Sequence, residues 1–167
     1  MYMTEQQKFE LEYKIENIEI RKYYQCVVAE VIINSDFDNA TNYGFRPLVT
    51  YISQNNIAMT APVLQEKNES GSWIVSFVMP DGMSIDDLPK AKDTQINLKK
   101  IEEHYAAAIV FKGLTNFKKS KEKEQELRQV LEKHHIETIG EARVARFDPP
   151  WKPGFLRHNE VIIKVKK

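Results

Sequence analysis

The chain has one cysteine, Cys26, in 167 residues. No internal disulfide can form, and no CxxC pair offers a zinc or redox site. It has no net charge, because 24 Lys and Arg balance 24 Asp and Glu. Nucleic-acid binding draws on counterion release from a basic surface, so this balance argues against nucleic acid as a partner and against a polybasic membrane anchor. No apolar run nears the ~20 residues that a membrane-spanning helix needs. The first residues, MYMTEQQKFELEYK, lack the basic start and apolar core of a signal peptide, and a cytoplasmic chain is expected. Nucleophile elbow, Walker loop, HExxH and GxGxxG are all missing. With no such chemistry in the pattern, the expectation is a protein that is not an enzyme and has no metal ligands.

What is present fits one compact domain, 42% hydrophobic and 29% charged. Residues 1–10 read as an N-terminal extension and 11–167 as the domain. Leu11 to Tyr24 and Gln25 to Ile33 read as strands. Asp38 or Asn39 is expected to cap a helix ending near Ser53, starting at about Phe45 or kinked there by Pro47. Ile57–Lys67 and Trp73–Met79 read as strands joined by a turn at Asn68-Glu69-Ser70-Gly71. Trp73, Val75, Phe77 and Met79 share one strand face, which is expected to be the buried one. Thr94–Glu102 and His104–Lys112 follow as strands. Thr115 or Asn116 then caps a charged helix to about His135, and Gly140 reads as its stop signal. Glu141–Phe147 and Asn159–Val165 read as the last strands.

The order of elements repeats. Ile20-x-x-x-Tyr24 matches Ile101-x-x-x-Tyr105, and Val27-Val28 matches Ala108-Ile109 at the same shift. Residues 11–79 and 94–165 therefore read as two pseudo-repeats, each too small to bury its own sheet face. The expected fold class is α+β: duplicated βαββ units forming a distorted antiparallel barrel or sheet with two helices.

Two segments carry the functional signal. Ile57-Ala58-Met59-Thr60-Ala61-Pro62-Val63 has no acid, base or nucleophile. Phe147-Asp148-Pro149-Pro150-Trp151-Lys152-Pro153, followed by Phe155, is a stiff, aromatic rim. Together they suggest a groove rather than a catalytic centre. Met59, Met79 and Met83 could line a pocket, though core filling is the ordinary role of methionine. Among the histidines, His134 and His135 read as charge at a helix C-terminus. His104, beside Glu102 and Glu103, reads as solvated. His158 lies in the aromatic segment, where packing outweighs a ligand role.

These blocks, with Asn42-Tyr43-Gly44-Phe45-Arg46-Pro47-Leu48-Val49-Thr50-Tyr51-Ile52, Leu88-Pro89-Lys90 and Arg157-His158-Asn159-Glu160-Val161, resemble the SOUL heme-binding protein family from about Tyr13 to Val165. The resemblance implies a fold similar to gyrase-inhibitor and effector-binding domains. It implies non-catalytic binding of heme or a related tetrapyrrole in a shallow apolar groove. Some family members ligate iron through a histidine in the first half. Here no histidine precedes His104, so no axial ligand carries over. Asn42 and Thr50 stand where basic groups are expected.

On this reading Phe45, Val49 and Met59 wall the groove with Trp151 and Phe155, while Arg46, Lys152 and Arg157 meet the propionates. The partner is a small hydrophobic ligand, heme or porphyrin. The alternative is a ligand-sensing or protein-interaction module of the same fold that takes another apolar molecule or partner.

Overall fold

The computed structural model describes residues 4–149 and 152–167. In chain order these form β1 (Glu5–Gln6), β2 (Phe9–Ile15), β3 (Ile18–Tyr23), β4 (Cys26–Ile33), α1 (Phe37–Gln54), β5 (Thr60–Ala61), β6 (Val63–Lys67), β7 (Trp73–Val78), β8 (Asn97–Ile101), β9 (His104–Lys112), α2 (Phe117–Lys133), β10 (Thr138–Arg146) and β11 (His158–Val165). The fold class is α+β, with mainly antiparallel strand pairing and two long helices. The chain divides into two compact units, 4–8 with 25–102 and 9–24 with 103–167.

In the first unit the strand order is β6-β7-β4-β8, and α1 packs on β4 and β7. The helix starts at Phe37, earlier than expected, because Asp36 is its cap: Asn39 N–H donates to Asp36 Oδ1 at 3.1 Å. Pro47 lies inside the helix. The carbonyl it leaves without a helical donor is that of Tyr43, whose side chain is 61% exposed, so water can serve it. Gly44 brings the helix close to the sheet. A Cβ there would lie 2.7 Å from Val75 Cβ and 3.1 Å from Val31 Cγ2. Buried Gln65 ties down the helix start, accepting from Thr41 Oγ1 at 2.9 Å and donating to the Phe37 carbonyl at 3.0 Å. The helix ends in a Schellman turn with Asn56 at φ 54°, and Ile57 N–H donates to the Ile52 carbonyl at 2.9 Å.

Val75, Phe77 and Met79 form the core under α1 with Leu48, Tyr51 and Ile52. On the chosen face Val75, Phe77 and Met79 are therefore buried and Trp73 is half-buried, but that face is not alone. Ser76 and Val78 on the other face are buried too, so the strand does not alternate between core and water. The strand expected over Ile57–Lys67 is broken at Pro62, which has no N–H for a ladder. Its short first piece, β5, pairs in parallel with β1.

In the second unit the order is β2-β3-β9-β11-β10, and α2 packs on β9, β10 and β11. The strand expected over Leu11–Tyr24 is a hairpin, β2 and β3, turning at Glu16-Asn17 with Glu16 at φ 51°. That pair has no glycine to flag a tight turn. Asn116 caps α2, accepting from Lys119 N–H at 2.8 Å. Gly140 does not stop the helix. It lies within β10, at a register shift between Ile139 and Arg143. The stop is a Schellman turn: His135 N–H donates to Glu132 O at 3.1 Å and Ile136 N–H to Leu131 O at 2.9 Å. His135 takes the left-handed position at φ 57°.

Both units run strand, helix, strand, strand, and both place the strand after the helix at the edge of that set: β6-β7-β4 and β10-β11-β9. Each set gains a strand beside its first member. Ile20 of β3 lies opposite Ala107 of β9, and Ile101 of β8 lies opposite Cys26 of β4. The shift that carries Ile20 to Ile101 also carries Cys26 to Ala107, so the two ladders have equivalent register.

Two substitutions test the packing of the first unit by chemical unfolding. Phe77→Ala should cost ~3–5 kcal/mol, as deletion of a buried aromatic does. Gly44→Ala should cost about 1–3 kcal/mol through overpacking against Val75, although alanine is the better helix former. Neutral outcomes would mean that α1 is not seated on β7 as described.

Candidate functional site

The residues singled out from sequence fall in both units. On α1, Phe45 is half-buried, its ring edge-on to Phe77 at 5.3 Å between centroids. Val49 is half-buried against the same core. Arg46 and Met59 are exposed. Met79 and Met83 line a cleft of about 430 Å³ with Cys26 and Lys100, and Met59 is not part of it.

In the second unit Lys152, Phe155 and Arg157 lie on the loop between β10 and β11. Trp151 and Pro150 are outside the described residues. The loop is held by its own polar groups. Asp148 accepts from Lys152 Nζ at 2.9 Å and from His158 N–H at 2.5 Å. Arg157 Nε donates to the Lys152 carbonyl at 2.9 Å, and Asn159 Nδ2 donates to the Gly113 carbonyl at 2.5 Å. Gly154 rests on Leu114, where a Cβ would meet Cγ at 2.8 Å. Above these struts Phe155 is 75% exposed, Leu114 64% and Leu156 45%.

Sequence reasoning missed a buried polar network in this unit. Ladder register puts Glu19, Arg21 and Tyr23 of β3 on one sheet face with His104, Ala106 and Ala108 of β9 and Glu160 of β11. Arg21 and Glu160 are 2% and 3% exposed. They meet through two hydrogen bonds, Nη1 to Oε1 at 2.5 Å and Nη2 to Oε2 at 3.2 Å. Arg21 also bonds Tyr23 Oη at 2.7 Å and Glu19 Oε1 at 2.9 Å, and lies 4.2 Å from the Phe9 ring centroid. His158 Nε2 lies 2.8 Å from the second Glu160 oxygen. His104 was expected to be solvated, but it is buried. It stacks on Tyr23 at 5.4 Å and lies 3.2 Å from Arg143 Nη2. It opens β9 rather than sitting in a turn, which is why the acidic neighbours misled.

Burial alone would push the Glu160 carboxyl up. The hydrogen bonds from His158 and Arg21, with the Arg21 charge, outweigh it and hold the pKa below the ordinary carboxylate value. Burial likewise opposes the Arg21 charge, but Glu160 and Tyr23 more than compensate, and its pKa is raised.

A cleft of about 610 Å³ also lies in this unit, where α2 ends short of the sheet. Ile20 and Val165 line it with Tyr13, Tyr105 and His135, and Lys166 and Lys167 stand at its rim.

The sequence pattern of the SOUL heme-binding proteins matches residues 4–164, nearly the whole chain. The chain belongs to the SOUL heme-binding protein family. No curated protein matches it in sequence. Among solved structures, this SOUL-family chain is similar to the C-terminal domain of EcmrR, with TM-score 0.73 and 12% identity over 90% of this chain and 97% of that one. It is similar to a hydrolase from Listeria innocua, with TM-score 0.61 and 12% identity over 90% and 92%. It is also similar to SAV2435 bound to tetraphenylphosphonium, with TM-score 0.53 and 8% identity over 90% and 94%. At these identities the likeness is one of fold.

The Arg21–Glu160 pair makes a pH prediction. Glu160 has a lower pKa folded than unfolded, so its contribution is complete above the unfolded carboxylate value, near 4.3, and is lost as pH falls through the folded value. Glu160→Gln should cost about 3–5 kcal/mol at neutral pH, because Arg21 is left buried and unpaired. It should also flatten the fall in stability below about pH 4. Denaturant titrations of both proteins across pH 2–7 check this, and an unchanged acid slope counts against it.

Proposed function

We propose that this chain binds heme or a related tetrapyrrole, in the cytoplasm, and performs no chemistry on it. The observation that carries the reading is the exposed apolar surface of the second-unit loop, Phe155 with Leu114 and Leu156. Apolar side chains gathered in one patch mark a surface that something covers. Lys152 and Arg157, on the same loop, supply cations for a ligand with an apolar body and carboxylate arms. Trp151, Phe155, Lys152 and Arg157 are the proposed contacts on this unit. Phe45, Arg46, Val49 and Met59 are those proposed on the first. Membership of the family supports the ligand class.

Sensing of a different apolar molecule, or docking of a protein segment, is the second reading. The likeness to SAV2435 bound to tetraphenylphosphonium favours it. That ligand is a cation, and an apolar site for a cation gains from an unengaged buried carboxylate. Glu160, the buried carboxylate among the described residues, already holds Arg21. An anionic or neutral ligand suits this chain better.

The test is titration of hemin and of metal-free protoporphyrin, followed by absorbance and by tryptophan quenching. Wild type should bind both. Phe155→Ser should weaken both without loss of stability, and Arg46→Ala or Arg157→Ala should each cost about 1–3 kcal/mol. Failure of both porphyrins to bind at micromolar protein would move the reading to another apolar ligand or partner.

A further inference from the structure

We propose that the loop end of the second unit docks on an anionic lipid bilayer, with apolar tips that enter the headgroup layer and lysines that meet its phosphates. The inference goes beyond the tetrapyrrole reading. That ligand would cover Phe155 and its immediate neighbours, while this surface runs on to the start of α2.

Two connections meet here, β9 to α2 and β10 to β11. Gly113 N–H donates to the Arg157 carbonyl at 3.0 Å, and residue 154 rests on the Leu114 side chain. The apolar side chains come from both connections. Phe155 is 75% exposed, Leu114 64%, Leu156 45% and Phe117, the first residue of α2, 45%. Phe155 and Leu114 show most of their surface, so they stand out from the loops instead of walling a recess. Phenylalanine and leucine are side chains that peripheral proteins bury at the boundary of headgroups and acyl chains.

The charge around these tips is mostly of one sign. Residues 112–123 and 146–158, which hold both connections, carry eight lysines and arginines and two carboxylates. The rest of the chain carries sixteen and twenty-two, so the balanced total conceals a basic end. Lys118 and Lys119 follow Phe117 directly, and Lys112 precedes the first connection. Among the described residues none of these three has a carboxylate partner. Lys121 Nζ lies 5.7 Å from the Phe117 ring centroid. Of the two acids, Asp148 holds Lys152 at 2.9 Å, and Glu122 lies one turn along α2 from Lys118. Further along, Glu124 and Glu126 are matched by Lys121, Arg128 and Lys123.

An anionic leaflet attracts each cation near its surface, and long lysine stems let the ammonium reach phosphate while the apolar tips lie deeper. Protein interfaces are depleted of lysine, which this surface is rich in. That difference favours lipid over an acidic protein.

The test is sedimentation of the porphyrin-free chain with vesicles. One set is phosphatidylcholine alone, and the other has about two parts of phosphatidylcholine to one of phosphatidylserine. The mixed vesicles should carry the chain down at low salt, and about 0.5 M salt should release it. Phosphatidylcholine alone should leave most of it in solution. Lys118→Glu with Lys119→Glu reverses two charges in the first turn of α2, where acidic side chains favour the helix, so the fold is kept. This double variant should bind the mixed vesicles about tenfold more weakly or worse, yet titrate with porphyrin as wild type does. Phe155→Ser should weaken vesicle binding too. Equal sedimentation of the double variant and wild type, or none with the mixed vesicles, overturns the inference and leaves the tetrapyrrole reading standing. Capture by polyglutamate with the mixed vesicles ignored overturns it in favour of an acidic protein. Vesicle binding without porphyrin binding leaves it standing alone.

Discussion

The second unit is organised around one ion pair, Arg21 with Glu160. Removing two charges from water is costly, and the attraction between them offsets that cost only when the remaining donors and acceptors are also met. Here they are met from three directions: Tyr23 and Glu19 on β3, and His158 on β11. Small residues make room for it. Ala106 and Ala108 of β9 lie on the same sheet face, between the strands that carry Arg21 and Glu160. The opposite face is apolar where Ile18, Ile109 and Val161 lie. A register slip of one residue on β3 would send Arg21 into that apolar face. The pair is therefore a constraint on pairing as well as a contact.

The same network changes how the motif residues are understood. Asp148, Asn159 and Glu160 carry much of the resemblance to the SOUL family, and a ligand-centred reading would place them in a binding site. Their side chains are struts. Asp148 closes the loop on His158 and Lys152, Asn159 holds the Gly113 carbonyl, and Glu160 holds Arg21. In the first unit, Thr60 Oγ1 of the apolar motif donates to the Val78 carbonyl at 2.5 Å. What these struts present to solvent is Phe155, Leu114 and Leu156. Motif and binding surface are thus neighbours with separate tasks: one fixes the loop and the other remains available.

Local signals in the sequence were reliable where the physics is local. Asn116 capping α2, the extent of β9, and the apolar stripe of Val75 and Phe77 could all be read from spacing and side-chain chemistry. The misses needed information from far along the chain or from a turn without the usual residues. Arg21 and Glu160 are 139 positions apart, and neither has a neighbour in sequence that announces burial. Glu16-Asn17 turns a hairpin without glycine. Pro47 sits within α1, and the carbonyl it strands belongs to Tyr43, which is 61% exposed, a fact that the proline itself does not reveal. For the candidate site the limit was similar. Phe45 and Val49 were chosen as groove walls by their apolar character, and that same character packs both against the core.

His134 and His135 show how adjacent identical residues part company. In sequence they form one helix end, and His134 is the C-cap of α2, 2.8 Å from Glu16. One residue later the backbone turns left-handed. This turn satisfies the Leu131 and Glu132 carbonyls near the end of α2. His135 borders the cleft that Ile20 and Val165 floor. The same Schellman geometry ends α1, but with Asn56, a residue common in that conformation. Asparagine and histidine both enter this left-handed region more readily than most side chains, so each helix is closed by a residue suited to its turn.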